Sequence, residues 1–511
     1  MRKIFVLIIL LLLTTSCASK YDTLMSSFKK GEFKRVFKEC SGDNDPECKF
    51  LLGTLYYNGL GVKKDIKRGV NLIKESVEKG FAPAEIDLAS LYMNGNGVPQ
   101  DYEKAIELYR SAMDKGEALA FHNMGYLYAN GLGVQIDYKK SLQLIEQSFA
   151  KGYNDATWML GIIHLRPKST IRDVGIGINW LEKGAKLNVI KSILLLAEIY
   201  EKGEIVPMDL TKSLYYYERA ATFGNIKGQH KAGYAYYSGL GTPVNLKKAF
   251  SLIEKSASNG FVRSIILLGN IYRIDKRFKD YTKAFYWYKK ALKGSNPYAQ
   301  RQLGILYVSG NGVKRDPKKG FDLIYKSANQ NDLDSAYLLG ILYEKGIGVK
   351  KSFETASKVF DIAASKGHTG SQAKLAEYYL KGTHFKKDTE KGVQWLTKAA
   401  KYDRYNQYRL GLLYFDQKQI AKAKFWLEKA AKQNEFNSQA FIALMYFEGV
   451  HYKKNLIDAY AWINISLANL PGNKNNTKIR NNIENKMDMN QIKNAQKRTR
   501  ELIKKYNLLK K

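Results

Sequence analysis

Hydrophobic and polar positions along this chain of 511 residues follow a pattern that returns about every 36 residues. Residues 52–62, LGTLYYNGLGV, come back as residues 88–98, LASLYMNGNGV. A period in this range is typical of stacked supersecondary units rather than of one globular core. The second residue of the segment, which we call the small position, is always glycine or alanine, and it recurs at Gly53, Ala89, Gly125, Gly161, Ala197, Gly233, Gly269, Gly304, Gly340, Ala376, Gly411 and Ala443.

Each repeat predicts two amphipathic helices joined by a glycine loop. In the second repeat, Leu88, Leu91 and Tyr92 are spaced i, i+3 and i+4 on one helical face, and Ala105 and Leu108 resume this spacing one segment later. A glycine inside a helix costs ~1 kcal/mol against alanine, so we expect the small position to allow close approach of the two helices. The predicted fold class is all-α, an α/α solenoid of about twelve helical hairpins.

Polar residues mark the start of each second helix. Asp and Asn cap free backbone N–H groups there, and a left-handed glycine such as Gly95 ends the first helix. A Gly-x-Gly sequence before a helix also occurs in dinucleotide-binding sites, but those need a preceding strand, a third glycine and a distal acid. Because the preceding segment is helical here, we predict no cofactor site. The predicted caps are Asp65, Asp101, Asp137, Asp209, Asn245, Asp316, Asp388 and Asn455.

The N-terminus has the features of an export signal. Residues 1–16 comprise a positive start, an apolar run over 4–13 and small residues before a cleavage site. This region resembles a bacterial lipoprotein signal, which implies lipidation of Cys17 and stable anchoring by two or three acyl chains. Thr14 departs from the lipoprotein pattern, which usually has Leu there. The alternative is an ordinary secretory signal cut near Ser19, with Cys17 discarded.

Residues 17–47 are predicted to form a degenerate opening hairpin, with a flexible tether as the alternative. Cys40 ends one helical segment and Cys48 begins the next, with turn residues between them. Because an exported chain meets oxidising conditions, we predict a disulfide between Cys40 and Cys48 that stabilises the fold by ~2–3 kcal/mol. The alternative is a pair of reduced, buried thiols.

The repeat resembles the Sel-one-like repeat (SLR) family. The resemblance rests on the glycine loop, on the Asp-x-x-Lys-Ala start of a second helix at residues 101–105, and on the Lys-Ala-Ala ending at 398–400. It covers residues 48–470 through twelve units. Membership would imply an α/α solenoid similar to tetratricopeptide repeats, with a longer glycine loop.

Residues 471–511 are predicted to form a capping helix and a basic tail. Residues 458–462, DAYAW, together with Arg480, Met487 and Gln491, look like the closing segment common in exported bacterial proteins of the SLR family. A solenoid needs an atypical terminal unit because its last apolar face has no following repeat to cover it.

The sequence contains no pattern typical of catalysis or metal binding. None of its six histidines belongs to a His-Glu-x-x-His or Cys/His arrangement with metal-ligand spacing. A Gly-x-Ser-x-Gly elbow and a Walker loop are also missing from the sequence. We therefore predict that the chain is not an enzyme and has no catalytic, metal-binding or cofactor-binding residues, with a cell-wall enzyme as the less favoured alternative.

A net charge of +35 accompanies pairs of cations just after the glycine loops. Equivalent positions align in a stacked array, so we predict a basic stripe, to which residues 473–511 add twelve Lys or Arg against three acids. Such a field attracts anionic partners with strong salt dependence. The alternative is a solvated face that reflects the composition of the organism's proteins. The stripe residues are Lys63, Lys64, Lys314, Arg315, Lys350, Lys351, Lys386, Lys387, Lys453 and Lys454.

One position varies from unit to unit while its neighbours repeat. It lies four residues after the small position, on the first helix, which usually lines the concave binding surface of such arrays. Partner-specific contacts are expected at a position that packing does not fix, and aromatic residues dominate interface hot spots. We predict Tyr57, Tyr237, Phe415 and Phe447 as protein-binding residues. The alternative is that they only fill the inner groove.

These predictions combine into a non-enzymatic scaffold or adaptor of the bacterial cell envelope that binds a protein or peptide on its concave face. A lipid anchor would hold it on a membrane, facing the periplasm or the cell surface; without Cys17 it would be soluble in the periplasm or secreted. The alternative is a surface protein that binds lipopolysaccharide, another envelope polyanion or anionic lipid, and that meets host molecules. Nucleic acid is disfavoured because an exported protein seldom encounters it.

Overall fold

The computed structural model describes residues 20–383 and 386–509 and is all-α over these ranges. The predicted signal segment 1–16 and Cys17 lie outside the described residues. Contacts between Cα atoms divide the chain into two compact units, the first ending at Phe261 and the second beginning at Val262. Both units consist of helical hairpins in sequence order, which confirms the predicted α/α solenoid class.

The first unit contains two N-terminal helices followed by repeats 1 to 6, each built from a first and a second helix. Its helices are α1 (Lys20–Lys29), α2 (Phe33–Cys40), α3 (Pro46–Asn58), α4 (Ile66–Glu78), α5 (Ala82–Asn94), α6 (Tyr102–Asp114), α7 (Ala118–Asn130), α8 (Tyr138–Ala150), α9 (Ala156–Leu165), α10 (Val174–Lys186), α11 (Ile190–Lys202), α12 (Leu210–Thr222), α13 (Ile226–Ser238) and α14 (Leu246–Ser258).

The second unit contains repeats 7 to 12 and two closing helices. A short 3-10 turn follows α16. The helices are α15 (Val262–Ile274), α16 (Tyr281–Ala291), α17 (Pro297–Ser309), α18 (Pro317–Ala328), α19 (Leu333–Lys345), α20 (Phe353–Ser365), α21 (Thr369–Lys381), α22 (Thr389–Ala400), α23 (Arg404–Asp416), α24 (Ile420–Ala431), α25 (Phe436–Glu448), α26 (Leu456–Asn469), α27 (Lys474–Glu484) and α28 (Met489–Tyr506).

Close approach of the two helices explains the small position. In repeat 1, a methyl group added at Gly53 would lie 2.8 Å from the Ile73 side chain and 2.9 Å from the carbonyl oxygen of Gly69. A methyl group at Gly69, on the facing second helix, would lie 2.7 Å from the backbone nitrogen of Tyr57. Protein interiors are packed too densely to absorb such overlaps without movement of the backbone. The hairpin therefore depends on small residues on both helices.

The helix boundaries agree with the sequence. Gly95 has a φ of 67° and its N–H donates to the carbonyl oxygen of Leu91, which ends α5 in the left-handed conformation. Each predicted cap accepts a hydrogen bond from a backbone N–H three residues further along, as in the Lys104 N–H to Asp101 bond of 3.0 Å. This confirms the capping role for Asp65, Asp101, Asp137, Asp209, Asn245, Asp316, Asp388 and Asn455.

Ring contacts join successive repeats inside each unit. A side chain three residues before the small position meets a ring at the entrance to the next first helix. In the first unit, the ring centroids of His122 and Tyr153 lie 5.0 Å apart, and Phe50 and Phe81 form an equivalent pair at 5.6 Å. An edge-to-face pair such as His122 and Tyr153 is favourable beyond the area that it buries. His122 therefore has a packing role.

The N-terminal helices cover the first repeat. Leu24 and Val36 are buried, and the Tyr21 ring meets Phe81 at 5.3 Å. Cys40 and Cys48 are buried free thiols in contact with each other. The disulfide between Cys40 and Cys48 stays a prediction, and the contact of the two thiols provides the proximity that it needs. Burial raises the pKa of the Cys40 thiol.

The C-terminal segment is helical through Tyr506. The buried side chains of Leu502 and Leu508 belong to the same apolar cluster as the last repeat, and the Tyr506 ring stacks on Trp462 at 6.2 Å. Two helices, not one, cover the open end of repeat 12. Within the ranges that the structure describes, no helix is both long enough and apolar enough to cross a membrane.

Candidate binding groove

Each first helix has one face that does not contact its own second helix. The small position and the residue four places later touch the second helix, as Gly53 and Tyr57 touch Gly69. The residue directly after the small position is rotated from it by about 100°. Ser90 at this position reaches both its own second helix, through Tyr109, and the cavity that it shares with Thr54 of the preceding first helix. We call the surface between neighbouring first helices the first-helix groove.

The four predicted binding residues are half-buried and already make contacts within the chain. Tyr57 packs its backbone against Gly69 and borders a cavity with the next repeat. Tyr237 is half-buried. The Phe415 ring meets Phe441 of the following repeat at 5.0 Å, and Lys486, in the turn after α27, lies 4.6 Å from the centroid of Phe447. Phe415 and Phe447 thus pack in the apolar cluster of the last repeats.

The position chosen for its variability is a junction between repeats. Glu201 occupies it in repeat 5, and the Lys231 ammonium group of repeat 6 lies 2.7 Å from that carboxylate. Glu344 and Lys374 form the same pair between repeats 9 and 10, at 3.2 Å. Burial disfavours the charged form of Glu201, but hydrogen bonds from Lys231 and Tyr217 outweigh it and lower the pKa of this carboxyl group. The position varies because its contact in the next repeat varies.

The more exposed aromatic residues of the groove lie elsewhere on the first helices. Tyr126 and Tyr234 follow the small position directly, in repeats 3 and 6, and are 37% and 42% exposed. Neither tyrosine is among the predicted binding residues, because those predictions used one variable position only. The residue directly after the small position also varies from repeat to repeat, so the sequence contains the signal for this second variable position. Its residues are Thr54, Ser90, Tyr126, Ile162, Glu198, Tyr234, Asn270, Ile305, Ile341, Glu377, Leu412 and Leu444.

The groove between repeats 1 and 2 contains a cavity of about 210 Å³. Asp87 lies in it, two residues before the small position. The side chain reaches solvent, yet the cavity walls exclude enough water to raise the pKa of this carboxyl group to about 6. The cavity is lined by Thr54, Tyr57, Asn58, Ile73, Asp87, Ser90 and Leu91.

The ten cations of the predicted stripe are all exposed, and within residues 20–383 and 386–509 none of them forms an ion pair. The second member of each pair also has a packing role. A methyl group at the left-handed Gly59 would lie 2.9 Å from the Lys64 Cβ atom, and Gly310 and Arg315 show the same contact at 3.0 Å. Other repeats place Gln100, Ile136, Met208 or Val244 over their glycines. The side-chain stem therefore packs at this position, and its charge is a separate property.

The described part of the chain holds no cluster of three or more side chains that could bind a metal ion. His164 is buried and bonds through its Nδ1 atom to the Ile171 carbonyl oxygen at 2.9 Å, in the irregular loop of repeat 4. His368 caps α21 by accepting from the Ser371 N–H. His164 thus has a packing role and His368 a capping role. The features left as candidates for binding are the first-helix groove and the charged loops.

The Sel1 repeat family profile matches twelve segments of the chain. Comparison with curated proteins gave no match. The matched segments are residues 46–81, 82–117, 118–153, 154–189, 190–225, 226–261, 263–296, 297–332, 333–368, 369–401, 407–435 and 437–466.

Solved structures of repeat proteins are similar to the chain. A protective antigen present in uropathogenic Escherichia coli strains, which displays an SLR fold, is 26% identical over 93% of this chain and 95% of its own, with a TM-score of 0.58. A Sel1 repeat protein from Oxalobacter formigenes is 25% identical over 47% of this chain and 100% of its own, with a TM-score of 0.40. Since the profile matches extend through most of the sequence, the chain belongs to the Sel1 repeat family.

Proposed function

We propose that this chain is a non-enzymatic scaffold or adaptor of the bacterial cell envelope, and that it binds a partner protein or peptide in its first-helix groove. Sel1 and tetratricopeptide-like repeat proteins generally mediate protein–protein interaction, and Sel1 scaffolds are generally non-catalytic. The observation that carries the proposal is the exposure of Tyr126 and Tyr234 on the groove-facing side of first helices. Large aromatic side chains that packing does not require are typical of binding hot spots.

Charges next to these tyrosines support a peptide partner. In repeats 5 and 6, Lys227 pairs with Glu198, and Lys231 pairs with Glu201, all on first helices. The groove therefore offers both donors and acceptors beside an exposed ring. Specific interfaces combine an aromatic centre with a polar surround in this way.

The test uses crosslinking and affinity capture from the native envelope. Tyr126→Ala and Tyr234→Ala together are expected to reduce the captured partner more than tenfold, because truncating a hot-spot residue costs about 2 kcal/mol or more. Tyr215→Ala is the matched control, since Tyr215 is 57% exposed but lies on a second helix of the same unit. Equal losses in both variants would contradict a role for the groove.

A second candidate function is binding of an anionic envelope polymer, such as lipopolysaccharide, or of anionic lipid. It is favoured by the exposed, unpaired stripe and by α28, whose outer face carries exposed Lys493, Lys497, Arg500 and Lys504 at i, i+4, i+7 and i+11. In the same capture experiment, reversing the charges of residues 314, 315, 350 and 351 separates the two functions. Lost capture with a steep salt dependence would favour the polyanion, whereas unchanged capture would eliminate it.

We also propose that the chain is exported, acylated at Cys17 and oxidised between Cys40 and Cys48. The mature protein isolated from bacterial membranes is expected to carry acyl chains on Cys17 and to gain two hydrogens on reduction, because the buried thiols already touch. Intact-mass spectrometry measures both.

Cys17→Ala should remove acylation and membrane attachment but leave the oxidised pair. Normal attachment of that variant would refute lipidation, and a mass that reduction does not change would refute the disulfide.

A further inference from the structure

Asp87 is a carboxylate without a counter-charge in a strongly basic protein. It lies in the cavity between the first helices of repeats 1 and 2, and among the described residues no Lys or Arg pairs with it. Tyr109 and Tyr21 lie close enough for the charge of Asp87 to raise the pKa of their hydroxyl groups, but neither residue is cationic. The side chain reaches solvent, but the cavity walls limit its hydration, so a cation brought against it would replace water that is already incomplete.

Equivalent positions in two other repeats show how a charge at this place is paired. Two residues before the small position, repeats 6 and 10 have Lys231 and Lys374, which pair with Glu201 and Glu344 of the preceding repeats. At the junction of repeats 1 and 2 the sign is inverted, because Asp87 stands where the lysine is. Tyr57 stands where the glutamate is. The junction therefore has a negative charge and lacks the cation that would complete it.

The polar walls of the cavity do not neutralise Asp87. The Thr54 hydroxyl donates to the Phe50 carbonyl oxygen at 3.0 Å, and the Asn58 amide donates to the Thr54 carbonyl oxygen at 3.0 Å. The Ser90 hydroxyl bonds to the Ile86 carbonyl oxygen. These bonds occupy the hydroxyl hydrogens of Thr54 and Ser90, so the two hydroxyl oxygen atoms can serve only as acceptors, as contact with a cation requires.

We propose that this cavity binds a Lys or Arg side chain of the partner peptide, with its charged group on the Asp87 carboxylate and its alkyl stem against the Tyr57 ring. The inference rests on the proposed function and specifies one side chain of the ligand. A volume of about 210 Å³ lies below the ≈ 300 Å³ at which small-molecule pockets begin, so it suits one side chain. Cation–π contact with Tyr57 and a charge-assisted hydrogen bond to Asp87 both favour Arg or Lys.

The test is selection of a displayed library of random dodecapeptides on the full mature chain. Enriched peptides are expected to share a Lys or Arg at one position, and Asp87→Asn is expected to return that position to its frequency in the unselected library. A single enriched peptide should bind the variant about tenfold more weakly or worse, since a hydrogen bond to a charged group is stronger than one between neutral groups. Asp114→Asn, an exposed carboxylate on the second helix of the same repeat, is the control.

The outcomes separate this inference from the proposed function. Enriched peptides without a preferred cation, or with one that Asp87→Asn and Asp114→Asn affect equally, would overturn the Asp87 site and leave peptide binding intact. A selection that enriches no peptide would overturn both. Thermal unfolding by circular dichroism verifies that the two variants fold as the original does.

Discussion

Gly69→Ala is expected to destabilise repeat 1 by about 1–3 kcal/mol, although alanine is the better helix former. The added methyl group would lie 2.7 Å from the Tyr57 nitrogen and 2.8 Å from the Gly53 carbonyl oxygen, both backbone atoms. No side-chain rotation relieves such contacts, so α3 and α4 must separate. Hydrogen exchange in these two helices measures the effect, because stability in a repeat array is largely local.

Gly175→Ala is the matched control within the same unit. Gly175 is also helical and exposed, but a methyl group there would meet only the Asp173 side chain, at 3.4 Å. This change is expected to leave stability unchanged or to raise it by up to about 1 kcal/mol. If hydrogen exchange were equally slow in the helices of both variants, close approach would not be the reason for the glycine at residue 69.

Ending the chain at Met487 is expected to expose the apolar end of repeat 12 and to unfold it locally. The truncation removes the buried Leu502 and Leu508 side chains, which contribute about 3–6 kcal/mol at 1.5–3 kcal/mol each. It also removes the 2.7 Å ion pair between Arg498 and Asp458. Faster hydrogen exchange and proteolysis in α25 and α26 would report the loss.

A charge change on the same helix provides the control for the truncation. Lys493→Glu with Lys497→Glu alters the exposed face of α28 and leaves its buried face intact, so stability should change by no more than about 0.5 kcal/mol per site. Unchanged protection of α25 and α26 after truncation would mean that α28 is not a structural cap.

Local features of the fold could be predicted from the sequence because they recur in the repeats. Asp101 caps α6 as expected, since a cap bonds only to a backbone N–H group in the first turn of the helix that follows it. The predicted closing segment contains α28, which begins at a capping box of Asp488 and Gln491 and buries Ala495 and Leu502. The sequence did not show where the predicted capping helix ends and the basic tail begins, because the lysines lie on the exposed face of this amphipathic helix.

The site was harder to predict because it depends on pairs that lie far apart in sequence. Variability four residues after the small position indicated a binding surface, whereas Glu201 bonds to Lys231, thirty residues later, in the next repeat. A single sequence does not reveal which distant side chain meets another. Asp87 illustrates the same limit, because its lack of a cation becomes visible only when the junctions are compared in space.

These junction bonds define the part of the chain that can be exchanged intact. Glu201 follows the small position of one first helix, and Lys231 precedes the small position of the next, so a cut at any glycine loop or helix turn between them separates the pair. A cut inside a first helix, after the lysine position and before the glutamate position, keeps the Glu201–Lys231 and Glu344–Lys374 pairs together. The module that preserves these junction pairs on duplication or transplantation therefore begins in the middle of one first helix and ends in the middle of the following one.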